Sequence, residues 1–188
     1  MKKIHSLIAV ILVAATILSL SGCARFKRID DEDQFFDALE NAVGIDEDET
    51  IHEKNSKVNG DKVEYLIYTG DGDNFYTYIR FKKADDAMDY FDEFYQGFED
   101  LKEDKEFDGS NTMSMSKTRG MILFDGEVEA ENGLNFYHMN KYFFEDTEIY
   151  GGVYVYDNVY IEVYSANGSK RDKEKIKTFL KTLKFPTP

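Results

Sequence analysis

Few side chains in this 188-residue sequence are equipped for covalent or metal chemistry, and most of those stand alone. Cys23 is the single cysteine, set between an apolar run and the cations Arg25, Lys27 and Arg28. A lone thiol closes no internal disulfide and shares no thiolate metal site, so its presence needs a separate reason. The histidines are His5, His52 and His138. None falls in the His-x-x-His or His-Glu-x-x-His spacing that puts two nitrogens on one zinc ion. Gly70-Asp71-Gly72-Asp73-Asn74 offers oxygens to calcium, but a helix-loop-helix calcium site needs alternating ligands, a central glycine and a glutamate at the twelfth place. The twelfth place from Asp71 is Lys82. The pentapeptide therefore reads as a hairpin turn, and no metal ligand or cofactor is assigned.

Nucleophilic chemistry has one candidate spacing. Ser114-Met115-Ser116-Lys117 fits Ser-x-x-Lys and resembles the pattern of penicillin-interacting enzymes, in which the lysine helps to activate the serine. That family also requires Ser-Asp-Asn and Lys-Thr-Gly elsewhere. Here Lys117-Thr118 is followed by Arg119, and Ser-Asp-Asn is absent. There is no Gly-x-Ser-x-Gly elbow and no phosphate-cradling glycine loop. The 37 acidic residues supply many carboxylate pairs of the kind glycosidases use, but that abundance singles out none of them and speaks for solvated surface. No catalytic residue is assigned, and the chain reads as leaning away from an enzyme.

The thiol gains a role from what precedes it. Lys2 and Lys3 are followed by a mostly apolar run, Leu7 to Leu20, and then by small residues, the three zones of an export signal. A membrane-spanning helix needs roughly 20 apolar residues, and this run is shorter. Leu20-Ser21-Gly22-Cys23 resembles the lipobox of bacterial lipoproteins at all four positions. The resemblance implies a diacylglyceryl group on Cys23, cleavage before it by signal peptidase II, and often an acylated new amino terminus. Each buried methylene contributes about 0.8 kcal/mol, and two or more chains hold stably where one is marginal. Cys23 is thus expected to be a tether to membrane lipid on the extracytoplasmic face of the cell membrane. Arg25, Lys27 and Arg28 follow directly, either placed to meet anionic headgroups at about 1 kcal/mol each or forming a merely soluble linker.

Removal of residues 1–22 would take two of the 23 basic residues and none of the 37 acids, shifting the net charge from −14 to about −16. Such a charge repels phosphate backbones and argues against nucleic acid as a partner. The remaining length suits one domain with a sizeable core. With two prolines and no Ser/Gly tract, nothing marks a stalk or second domain. The expected organisation is a signal peptide over 1–22, a lipidated cysteine and short tether over 23–31, and a single domain over 32–188. The tether would reach only ~25–30 Å when extended.

Elements follow from periodicity. Asp31-Glu32-Asp33-Gln34 reads as a capping box, Phe35, Phe36, Leu39, Ala42 and Val43 recur at helical spacing, and Gly44 is a stop, giving a helix over 32–43. Segments 62–69 and 75–82 alternate as strands around the pentapeptide turn. Met88, Phe91, Phe94, Tyr95, Phe98 and Leu101 form the apolar stripe of a second helix, acidic on its other side. After a polar loop around 109–112, strands are expected over 120–124, 134–144, 149–156 and 159–164, the last two joined by Asp157-Asn158. A helix over 172–183 buries Ile176, Phe179, Leu180 and Leu183. The order α-β-β-α-β-β-β-β-α, without strand-helix-strand alternation, predicts an α+β fold: an antiparallel sheet with helices packed on one face.

If Phe75, Ile79, Phe81, Val153, Val155, Val159, Ile161 and Val163 lie under the helices, period two sends Tyr76, Tyr78, Arg80, Tyr154, Tyr156, Tyr160, Glu162 and Tyr164 to the opposite face. A tyrosine-rich sheet surface suits recognition of a protein or a sugar, since each ring joins a large apolar area to a polar tip. The same tyrosines are also good strand formers on a half-wet or covered face. The expected function is a lipoprotein binding or accessory module for an envelope protein or glycan. The alternative is an envelope hydrolase using acidic residues.

Overall fold

The computed structural model describes residues 26–29, 31–129, 134, 136–137 and 147–188. The signal segment 1–22, the tetrapeptide ending in Cys23, His138 and most of the expected strand over 134–144 lie outside the described residues. Helix α1 (Asp33–Val43) begins with the Gln34 N–H donating to the Asp31 carboxylate at 3.2 Å, one half of the expected capping box. It ends at Gly44, whose φ of 77° lets its N–H reach the Leu39 and Glu40 carbonyls. Glycine takes that left-handed conformation without a Cβ penalty.

A 3₁₀ turn (Glu47–Glu49), a short strand β1 (Ile51–Lys54) and a two-residue strand β2 (Lys57–Val58) precede the first hairpin. That hairpin joins β3 (Asp61–Asp71) to β4 (Asn74–Phe81), with Asp71 opposite Asn74 across Gly72-Asp73. Then come α2 (Ala84–Glu103), β5 (Phe107–Ser116), β6 (Arg119–Val128), β7 (Thr147–Tyr156), β8 (Val159–Ser165) and α3 (Lys170–Thr182). Every pairing is antiparallel, in the order β1-β3-β4-β8-β7-β6-β5, with β2 also on β3. The chain is an α+β fold with the expected order of helices, hairpins and strands. Two short strands, β1 and β2, are added before the first hairpin.

Three expectations need correction. Residues 107–116, expected to include a polar loop, form the edge strand β5, paired to β6 along its whole length. An edge strand has one unpaired side and tolerates polar residues on both faces, so Asp108, Ser110, Asn111 and Thr112 hide the alternation. The helices do not share one face. Helix α2 lays Phe91, Phe94, Phe98 and Leu101 over Leu66, Ile79, Ile122, Phe124, Val153 and Val155. On the opposite face, α1 and α3 lay Phe35, Leu39, Ile176, Phe179 and Leu180 over Ile67, Tyr76, Tyr78, Met121, Leu123 and Tyr154. Each helix has an apolar stripe, and a sheet apolar on both sides buries all three only as a sandwich.

The third correction is the phase of β8. A two-residue turn at Asp157-Asn158 sets Tyr156 opposite Val159, so these two share a face. Val159, Ile161 and Val163 therefore join Tyr76, Tyr78 and Tyr154 beneath α1 and α3, while Tyr160 and Tyr164 turn toward α2 with Phe75 and Ile79. A phase error of one residue sends a whole strand to the wrong side. The close seating of α2 depends on Gly120, since a Cβ there would lie 2.2 Å from Phe91 Cε1.

Candidate functional site

Residues 26–29, within the segment read as a short tether over 23–31, are packed onto the domain. Phe26 and Ile29 are each 5% exposed. The Phe26 ring lies 5.4 Å from Tyr154 and 5.0 Å from Phe185, just beyond α3. The Tyr154 hydroxyl donates to the Pro186 carbonyl at 2.7 Å, which draws the carboxyl-terminal segment into the same contact. Arg119 covers it, with its guanidinium carbon 5.3 Å from the Phe26 ring centre and 4.4 Å from that of Tyr156. Arg28 lies 5.5 Å from the Tyr156 ring centre and 3.8 Å from Asp157. Phe26 and Ile29 bury apolar side chains that would otherwise face water, and that burial decides against a loose spacer. Only Ala24 and Arg25 separate Cys23 from Phe26.

The tyrosines proposed as a recognition face are covered. Tyr76, Tyr78, Tyr154, Tyr160 and Tyr164 are all buried, and Tyr156 is half-buried. The Tyr78 ring meets Phe35 of α1 at 5.5 Å and the Tyr76 ring meets Phe179 of α3 at 4.8 Å. On the other face Tyr160 packs edge-on against Tyr90 of α2 at 4.8 Å, and Tyr164 stacks on Phe75 at 5.1 Å. Burial pushes these phenols upward, so Tyr76, Tyr78, Tyr154, Tyr160 and Tyr164 remain neutral. The apolar bodies of these five serve the core, so they do not form a surface open to a partner.

The sequence pattern placed Glu162 on a wet face, and the phase of β8 puts it inside. It is fully buried, opposite Thr77 on β4 and Val153 on β7. The Tyr160 hydroxyl donates to Oε2 at 2.9 Å, and the Tyr137 N–H is 3.2 Å from both carboxylate oxygens. Burial raises its pKa to about 8 against the pull of these two donors, so the carboxyl is largely protonated at neutral pH. The signal that could have found it was the two-residue turn, which fixes the phase of the strand.

The remaining candidates are engaged within the fold. Asp71 pairs with Lys175, Asp73 accepts from Asn167 Nδ2 at 3.0 Å, and Asn74 donates to Asp172 at 3.0 Å, so the pentapeptide clasps the start of α3. The His52 ring lies between Phe36 and Tyr65, and its Nδ1 is 3.9 Å from Glu47. Ser114 lies on β5 and Lys117 in the turn that follows it. Among the described residues no group of three or more histidine, cysteine or acidic side chains is placed to hold a metal ion, and no helix is long and apolar enough to cross a membrane. A hollow of about 190 Å³ lies between α1 and the end of α3, with Asp37 its only carboxylate. Another of about 90 Å³ is lined by Ser110, Asn111, Thr112, Leu123, Thr187 and Pro188. Neither gathers two carboxylates, nor a histidine with a serine. In comparisons with known protein families, curated proteins and solved structures, nothing matched the chain.

Proposed function

We propose that the chain is a lipid-anchored, extracytoplasmic lipoprotein of the cell membrane, and that its domain serves as a binding or accessory module for an envelope protein or glycan. The observation that carries this reading is the docking of Phe26 and Ile29 so soon after Cys23. Three residues of extended chain reach roughly 10 Å, so a lipid on Cys23 would hold the folded body against the bilayer with no stalk between. A body held so close is suited to meeting other components of the same membrane. The hydrolase reading has less support, because neither hollow described above gathers a carboxylate pair and Glu162 is enclosed.

Crosslinking in intact cells, followed by identification of what is captured, tests the reading. Capture of a reproducible set by the wild-type chain and its loss in Cys23→Ser support an accessory role at the membrane. An identical set captured by both chains contradicts it.

A further inference from the structure

We infer that the domain stands on the bilayer with the Phe26 end of its sheet turned toward anionic headgroups and the opposite, acidic end turned away. The inference rests on the anchor at Cys23 proposed above. Because all strand pairs are antiparallel, the connections between elements sort to two ends of the sheet. Near Phe26 lie the link from β1 to β3 with Lys57, the link from β4 to α2 with Lys82 and Lys83, and the β5–β6 turn with Lys117. These four lysines are exposed, as are Lys27 and Arg28 beside them. Acids occur here too, but Asp157 lies 3.8 Å from Arg28, Glu32 3.7 Å from Arg80 and Asp86 3.5 Å from Lys83. Asp31, Asp33, Asp61, Glu64 and Asp85 do not outnumber the cations, to which Lys54, Lys62 and Arg119 add from adjoining strand ends.

The far end has the reverse sign. It holds the acidic run Asp46, Glu47, Asp48 and Glu49, placed there by the Thr69 hydroxyl donating to the Glu49 carbonyl at 3.3 Å. It also holds Asp73 in the β3–β4 turn, Asp104 and Glu106 after α2, and Glu129 after β6, with Lys105 among them. Helix α3 starts at this end, but two of its cations are committed, Lys173 to Asp125 and Lys175 to Asp71. Lys170 and Arg171 remain exposed. A body of net charge about −16 is repelled by an anionic surface, and a spacer of roughly 10 Å keeps it within about one Debye length of that surface. The two ends then differ in energy, and the cationic end is also the one to which the spacer is fastened.

The test uses the full lipidated chain reconstituted in phosphatidylcholine vesicles with about 30 mol% phosphatidylglycerol, an anionic fraction large enough to set a surface potential. A fluorophore is placed at Thr118→Cys or at Asp48→Cys, and quenching is read from a headgroup-attached quencher. Quenching at position 118 roughly threefold stronger than at 48, with the contrast shrinking at about 1 M salt, is the expected result. The Lys82→Glu, Lys83→Glu, Lys117→Glu variant should lose the contrast while keeping its circular dichroism. Equal quenching at the two sites, or stronger quenching at 48, overturns the orientation and leaves the basic end to a macromolecular partner. A chain whose mass lacks the diacylglyceryl group overturns the anchor itself, and the orientation with it.

Discussion

The Tyr160 hydroxyl and the Glu162 carboxyl, two residues apart on one face of β8, are joined by a 2.9 Å hydrogen bond inside the protein, with neither group reaching solvent. A strand places i and i+2 on the same side, so the pair is local in sequence yet fully desolvated by α2 and the sheet around it.

Glu162 should make stability depend on pH. Its folded pKa of about 8 lies above the ordinary 4.5, so the folded state holds a proton that the unfolded chain releases. The contribution of this proton is full below about pH 4.5, falls as pH rises toward 8, and levels off beyond. At pH 7 the loss is of order 3 kcal/mol. Glu162→Gln should flatten that decline and gain stability at neutral pH, while changing little at pH 4. Urea denaturation at pH 4, 6 and 8 checks this, and parallel curves for the two proteins would refute the raised pKa.

Phe26→Ala should weaken the domain by about 3 kcal/mol, near the low end for a buried phenylalanine because the site lies at the edge of the core. Hydrogen exchange at Ile29 should speed up along with the fall in stability. Unchanged exchange would mean that the segment packs without Phe26.

Gly120→Ala should cost about 1–3 kcal/mol, because the new methyl collides with Phe91 in a packed layer. Phe91→Leu in the same protein should recover part of that loss. A double-mutant cycle measures the coupling, and simple additivity would argue against the contact.

Ser169 caps α3 by accepting the Asp172 N–H at 3.2 Å, and its hydroxyl also donates to the Asp172 carboxylate at 2.5 Å. The Ser169 hydroxyl and Asn74 hold the Asp172 carboxyl below its ordinary value. Ser169→Ala should cost about 1 kcal/mol, a Tm roughly 2–4 °C lower, and should let the Asp172 pKa rise. Carboxyl titration by NMR with a thermal melt reads both effects.

The helices were legible because Phe35, Leu39, Phe91, Phe94, Phe98, Ile176 and Phe179 repeat at helical spacing, and each is buried as that spacing implies. The β3–β4 hairpin was legible because glycine and aspartate punctuate two alternating runs. The core roles of Tyr76, Tyr154 and Tyr160 were hidden because tyrosine suits a wet face and a dry one equally, and only the placement of the helices decides between them. Strand β5 was hidden because its pairing is a backbone matter that Ser110, Asn111 and Thr112 do not advertise. The docking of Phe26 was hidden because one aromatic residue among cations has no period to read.

The mass of the amino-terminal peptide from cell-derived protein tests the central claim most directly. The account predicts a peptide beginning at Cys23 and heavier by a diacylglyceryl group, with or without a further acyl chain. A free thiol at Cys23, or a chain that begins upstream of it, would contradict the anchor and the placement of this acidic domain at the membrane.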